Sequence, residues 1–303
     1  MSRARVLGIF VGVGALTVAA AAYQAQPDAP KVVEVEKLKD NLYMLKGGGG
    51  NTAVFVGTTG VVVVDTKNPG WGQPILDKIK GITDKPVTTI VNTHTHGDHV
   101  SGNVEFPATV DIIVQENTKA NMQKMTAPPG AQAAPNVFQA NPGKGMPKHT
   151  FKDKMKIGKG ADEVDLYYFG RGHTNGDAWI VFPALRIAHA GDIFSGKNLP
   201  LLDTNNGGTG LEIGNTLAKA HAGIKNVDSV ITGHSTVMPW SDLAEYAQFN
   251  KDFLADVQAG VKAGKTPDEI AASWKINDKY KGYNIQDTRL KQNVASIAGE
   301  LKK

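Results

Sequence analysis

The stretch His94-Thr95-His96-Gly97-Asp98-His99 decides how the rest of the chain is read. Three imidazoles and a carboxylate within six residues would repel or go unsatisfied in an apolar core, so they require solvent or a divalent cation. The run follows Val87-Thr88-Thr89-Ile90-Val91, a β-branched stretch bounded by Pro86 that predicts a strand. Strand geometry sends His94 and His96 to one side, within reach of one cation. Gly97 permits a sharp turn, which frees Asp98 and His99 to face a neighbouring site. Imidazole and carboxylate donors suit zinc first, with iron, manganese, nickel and copper compatible by ligand type. The alternative, a histidine-rich surface loop that binds nothing, is opposed by further donors downstream.

Upstream, residues 32 to 66 read as an antiparallel meander of Val32 to Val35, Leu42 to Leu45, Ala53 to Val56 and Val61 to Asp65. Gly47-Gly48-Gly49-Gly50 interrupts it, and four consecutive glycines predict a mobile connection. Asp65 reads as a structural carboxylate supporting nearby backbone. Gln73 to Ile82 carries Ile75, Leu76, Ile79 and Ile82 at helical spacing. Strand, helix and strand in succession predict an α/β fold with two sheets flanked by helices.

Downstream, Asp111 to Gln115 reads as a strand and Glu116 to Met125 as a helix. Ala127 to Lys148, with five prolines, predicts an irregular insertion of the kind that forms lids. Met122, Met125, Val137, Phe138 and Met146 would give it an apolar underside for a substrate or for core packing. Glu163 to Phe169 is a strand leading into a glycine-rich loop that aims His173 inward, and Val227 to Thr232 is a strand ending in Gly233-His234. Asp192 follows a hairpin of Trp179 to Phe182 and Leu185 to Ala190; a carboxylate has two oxygens and can bridge two cations. Ser195, Lys197 and Asn198 come directly after it, as candidate substrate contacts at the rim. His149 reads as solvated, His189 as a core or supporting residue, and His221 as surface or packing.

The pattern His-x-His-x-Asp-His resembles the signature of the metallo-β-lactamase superfamily. The likeness extends to Val61 to Thr66, to Gly172-His173-Thr174, to Gly191-Asp192 and to Gly233-His234-Ser235, in the family's order. It implies a four-layer αββα sandwich with one metal on His94, His96, His173 and Asp192. A second metal would take Asp98, His99, His234 and Asp192. It also implies hairpin loops that lean over this site. Two zinc ions, with iron or manganese as alternatives, would lower the pKa of a bridging water from ~15.7 toward roughly 7, giving a hydroxide. Asp98 is the catalytic candidate, orienting the hydroxide or accepting its proton. The expected activity is hydrolysis of an ester, thioester, lactone or amide. Gly170 to Asp192 resembles β-lactamases, whereas the aspartate at 192 resembles glyoxalase II-like thioesterases and lactonases. The tyrosine that lactonases often place three residues later is here Ser195. An iron persulfide dioxygenase-like protein and a non-catalytic metal-binding accessory protein are the other readings.

The 303 residues accommodate one large α/β domain or two small ones. Arg3, Arg5, the uncharged apolar run Val6 to Ala22 and Ala20-Ala21-Ala22 read as a secretory signal peptide at 1–22, followed by a linker at 23–30. The run is short for a membrane anchor, so no stable span is expected after cleavage, and export to the periplasm or medium is. Cysteine is absent, which removes disulfides and thiolate ligands. The net charge of +4 falls to about +2 without Arg3 and Arg5, and no basic, aromatic-interleaved patch suits nucleic acid. The expected partner is a small-molecule substrate. The metallohydrolase domain is expected over 31–240. A helical extension over 241–303 would pack on it or offer an oligomer surface, with a helix start at Thr266-Pro267-Asp268-Glu269.

Overall fold

The four valines 61 to 64 explain why two sheets form. The computed structural model describes residues 31–302, so the signal-peptide and linker expectations lie outside the described residues. All four valines are buried. Val61 and Val63 join a cluster with Ile75 and Ile79, while Val62 and Val64 join another with Phe55, Ile180 and Phe182. A strand covered on both faces has no polar side to show in its sequence.

The expected meander is present as β1 (Glu34–Lys39), β2 (Leu42–Lys46), β3 (Thr52–Val56) and β4 (Val61–Val64). β1 begins two residues later than expected and runs on to Lys39, and its exposed lysines and glutamates suit a sheet edge. β5 (Val87–Val91), β6 (Asp111–Gln115) and β7 (His149–Phe151) extend the same sheet in parallel, giving seven strands in chain order. The second sheet is built from β8 (Lys154–Ile157), β9 (Val164–Tyr168), β10 (Ala178–Phe182), β11 (Ile187–Gly191), β12 (Ser229–Thr232) and β13 (Met238–Pro239). Its order is β13-β12-β11-β10-β9-β8, with β11 and β12 parallel.

Helices cover both outer faces. α1 (Gly72–Ile82) packs Ile75 and Ile79 on the first sheet. The single turn α2 (Gly97–Val100), α3 (Glu116–Lys124) and the short α4 (Val137–Ala140) follow β5 and β6. α5 (Ile213–Gly223), α6 (Trp240–Lys262), α7 (Pro267–Ser273) and α8 (Asp287–Glu300) come after β11, and the expected capping box at Thr266 and Glu269 opens α7. Strand β10 displays the layering: Ala178, Ile180 and Phe182 face the cluster between the sheets, whereas Trp179 and Val181 face the cluster formed with α5, α6 and α8. Three apolar layers between two sheets and two helical covers make the αββα sandwich. Among the described residues no helix is long and apolar enough to cross a membrane.

In the loops, one open reading is decided and one expectation changes. The segment 127–148 is irregular apart from α4, but Phe138 packs with Val100, Val114 and Met122, and Val137 and Met146 pack against them. Those side chains fill a small core rather than face a substrate. The glycines 47–50 are tied down: Gly50 N–H donates to Asp98 O at 3.0 Å, Asn68 N–H to Gly48 O at 3.0 Å, and Lys67 Nζ to Gly50 O at 2.7 Å.

Candidate metal centre

The chain leaves β4, β5, β9, β11 and β12 at one rim of the sandwich, and the donor-bearing loops start there. Donor atoms of His94, His96, His173 and Asp192 lie within 4.8 Å of one another, as do those of Asp98, His99 and His234. Asp192 lies between the groups: its Oδ1 is 3.2 Å from His99 Nε2, and its Oδ2 is 3.2 Å from His234 Nε2 and 3.8 Å from His173 Nε2. Asp98 Oδ2 is 3.2 Å from His234 Nε2. Gly97 is not in a left-handed conformation; the reversal that separates His96 from Asp98 is the helical turn α2 itself.

Outer contacts fix which nitrogen each imidazole offers. Thr93 Oγ1 donates to Asp65 Oδ2 at 2.7 Å, so it accepts from His94 Nδ1 at 2.9 Å. His96 Nε2 donates to Asp203 Oδ2 at 2.7 Å, His99 Nδ1 to Asp65 Oδ2 at 2.7 Å, and His173 Nδ1 to Leu201 O at 2.7 Å. At His94, His96 and His173 the remaining nitrogen carries a lone pair and points inward. His173 Nε2 and His96 Nδ1 then face each other at 3.0 Å with no proton assigned between them. His94 Nε2 and Asp192 Oδ1 are buried without a hydrogen-bond partner. Facing lone pairs and orphaned buried donors are what a divalent cation would satisfy, so the residues fit one.

The electrostatics without ions agree. Burial, with His99, His173 and His96 alongside, pushes His94 well below the usual imidazole range, and burial next to His96 pushes His173 down to about 4. Burial opposes charge on His99, but Asp192, Asp98 and Asp65 hold its pKa well above the ordinary value. His234, opposed by burial but bonded to Asp192 and Asp98, is raised to about 9. His94 and His173 stay neutral, whereas at His99 and His234 protons stand where positive charge is wanted.

Two glycines make this convergence sterically feasible. A Cβ on Gly50 would collide with the His99 ring, and one on Gly233 with Asp192 Oδ1. Asn51 N–H donates to Gly233 O at 2.7 Å and its Nδ2 to Ser235 O at 2.7 Å, so the glycine loop holds the His234 loop. The fully buried Asp177 accepts from Thr174 N at 2.9 Å and fixes the His173 loop. Asp65 does support backbone, through Thr93 N–H at 2.8 Å, and it also holds His99. His189 is buried between Asn51 O and the Gly191 amide, His221 stacks on Trp240, and exposed His149 pairs with Asp111.

A cleft of about 380 Å³ opens over the donors, lined by His96, Asp98, Asp192 and His234 and by Ser195 and Asn198. Lys197 is turned away, its Nζ 3.1 Å from Glu245 and 3.4 Å from Asp242. The C-terminal segment, expected to pack, cap or offer an oligomer surface, contributes Asn284, Gln286 and Arg289 to the wall. Asp203 and Arg289 had no readable signal: each reaches the site only through tertiary folding, Asp203 from 107 residues beyond His96.

A curated relative, "Metallo-beta-lactamase type 2" of Elizabethkingia meningoseptica, is 28% identical over 251 residues, 76% of this chain and 88% of that protein. The "2,4-dinitroanisole O-demethylase subunit alpha" of Nocardioides sp. (strain JS1661) is 24% identical over 164 residues, 53% of this chain and 46% of that one. Among solved structures, a metallo-beta-lactamase from Pontibacter korlensis superposes with a TM-score of 0.58 at 19% identity, covering 73% of this chain and 99% of that one. A double mutant of the sec-alkyl sulfatase PisA1 gives 0.69 at 15% identity, covering 89% of this chain and 50% of that one. These structures speak for the fold. The family description "Metallo-beta-lactamase superfamily" matches residues 45–235, the span from the glycine loop to the residue after His234. With the αββα sandwich and a His/Asp centre on the matched segment, the chain belongs to the metallo-β-lactamase superfamily.

Proposed function

We propose that the chain is a binuclear zinc hydrolase acting on an ester, thioester, lactone or amide. The observation that carries this reading is Asp192 standing between two donor groups with both oxygens in reach of them. His94, His96, His173 and Asp192 would hold one ion, and Asp98, His99, His234 and Asp192 the other. Bound there, the ions supply a hydroxide nucleophile at neutral pH and Lewis acidity toward the carbonyl and the leaving group. Asp98 borders the cleft with its side chain 30% exposed, so its carboxylate can orient a water and receive a proton. Ser195 and Asn198 offer a hydroxyl and an amide to the substrate carbonyl or the oxygen developing from it.

The test is metal analysis of the purified chain beside turnover of a panel of esters, thioesters and lactones. Two zinc ions per chain, with turnover abolished in Asp98→Asn while the fold stays intact, is the expected result. Full activity after complete metal removal would refute the mechanism. β-Lactam hydrolysis is the second reading, favoured by the Elizabethkingia relative. Against it stands Asp192, which resembles the bridging aspartate of the thioesterase and lactonase branches, so carbapenem and cephalosporin turnover is expected to be weak. We also place the mature chain in the periplasm or medium, on the basis of Arg3, Arg5 and Val6 to Ala22, and cell fractionation checks this.

A further inference from the structure

The cleft above the donors has two chemically distinct lobes. One is polar and holds Arg289 with Gln286, Asn284, Asn198 and Ser195. The other, about 340 Å³, is walled by Pro69, Met125, Pro128, Ala134 and Pro135. His96, Asp98 and Pro128 line both, so the lobes meet over the candidate catalytic carboxylate.

Arg289 is half-buried, and among the described residues its guanidinium forms no salt bridge or hydrogen bond. A partly desolvated cation without a partner costs free energy, which a bound anion would recover. The helix gains nothing from it either. Arg289 sits in the first turn of α8, where the dipole favours acids such as Asp287. Packing comes from its neighbours Leu290, Val294 and Ile297. Lys197, the other cation nearby, is neutralised by Glu245 and Asp242.

The lobe is also held in place. Asn284 N–H donates to Lys197 O at 2.9 Å, which stitches the segment before α8 to the turn after Asp192. Asn293 Nδ2 donates to Pro200 O at 2.9 Å, and Glu300 accepts from Gly210 N–H at 2.9 Å. The guanidinium is therefore presented by an anchored helix.

We infer that Arg289 selects the substrate: its planar fork receives an oxyanion, a carboxylate or a sulfonate, carried on one side of the scissile group, while the apolar lobe takes a hydrocarbon or aromatic arm on the other. This rests on the hydrolase reading for the words "scissile group" only; the recognition of an amphiphilic anion is a binding property that can be measured without turnover.

The experiment uses the metal-loaded full chain and two probes, 4-phenylbutanesulfonate and the neutral methyl sulfone of the same length, titrated by calorimetry. Wild type is expected to bind the sulfonate at least ~10-fold more tightly. Arg289→Gln should bring the two within about 2-fold, and Arg289→Lys should fall between, because it keeps the charge but loses the fork. Lys197→Gln should keep the wild-type preference. An undiminished preference in Arg289→Gln, or its loss in Lys197→Gln, overturns the assignment. A matched pair of phenyl esters, one acyl chain ending in carboxylate and one in methyl, separates the two readings. An anionic-to-neutral kcat/KM ratio that falls ~10- to 100-fold in Arg289→Gln supports both. If neither ester, nor any member of the ester, thioester and lactone panel, is turned over but sulfonate binding still depends on Arg289, hydrolysis falls and the binding assignment stands. A carboxylate probe, 4-phenylbutanoate, tells whether that group is preferred over sulfonate.

Discussion

Asp65 and Asp203 each hold one imidazole directly, His99 and His96 in turn, and Asp65 reaches His94 only through the Thr93 hydroxyl. Asp65 is fully buried, has a left-handed φ of 63°, and accepts from Thr93 N, Thr93 Oγ1 and His99 Nδ1. A non-glycine residue keeps such a backbone only when its surroundings over-determine it, and here three donors do so. Asp203 does for His96 what Asp65 does for His99. Replacing either by asparagine keeps the size but can place an N–H against an imidazole N–H, which releases the ring and its tautomer. Asp65→Asn is therefore expected to weaken the ion held by Asp98, His99 and His234 about 10- to 100-fold, and Asp203→Asn the ion held by His94, His96 and His173. Chelator competition with metal analysis reads this directly: each variant should retain one tightly held ion and lose the other readily. Equal loss from both sites in both variants would mean that the outer carboxylates do not act locally.

At the scale of elements, the glycine run between β2 and β3 works as a clamp. Lys67, itself fully buried with φ 67°, donates through Nζ to Leu45 O at 2.9 Å and Gly50 O at 2.7 Å. Burial pulls its pKa down to about 8, yet Nζ still donates hydrogen bonds to both carbonyls. Lys67→Met keeps the length and leaves both carbonyls unpaired, at on the order of 1–3 kcal/mol each. Denaturant unfolding should register that loss together with faster amide exchange at Gly50 and Asn51, and unchanged exchange there would show that the loop holds itself. This mobility expectation failed for a physical reason: glycine reports conformational freedom in the unfolded chain, whereas order depends on partners folded against it. Composition was a better guide where chemistry or burial on both faces left few options. Three histidines and an aspartate in six residues have few uses, and four consecutive valines fit best between two apolar layers. The strands β7, β8 and β13 are short and lack the continuous β-branched run that marks β4 and β12, so they went unread. The alternation Lys154-Met155-Lys156-Ile157 was the available signal for β8. Arg289 sits in a helix whose periodicity speaks of core packing, and nothing local to the sequence says that its polar side overlooks a cleft 50 residues and more upstream.

For the molecule as a whole, the centre couples stability to pH in opposite ways with and without ions. In the metal-free fold, His234 has its pKa raised from 6.5 to about 9 and His99 is raised as well, despite burial, by the surrounding carboxylates. A raised folded pKa gives stability that is fully present below the unfolded value of 6.5 and is lost as pH climbs through the folded one. Asp98 is lowered from 3.8 to about 2, and Asp192 is lowered too, so their contribution is present above 3.8 and is lost on acidification. Burial lowers His94 and His173, whose contribution is present above 6.5 and is lost as pH falls below it, so the metal-free chain should be most stable near pH 6.5 as far as this cluster decides. Ions take the place of those protons and require neutral imidazoles, so their binding strengthens as pH rises over the range where the metal-free fold weakens. Scanning calorimetry of chelator-treated and zinc-loaded chain at pH 6, 7.5 and 9 is expected to show the gap in Tm widening with each step. A gap that stays level or narrows would mean that His99 and His234 are not where the ions and the protons compete.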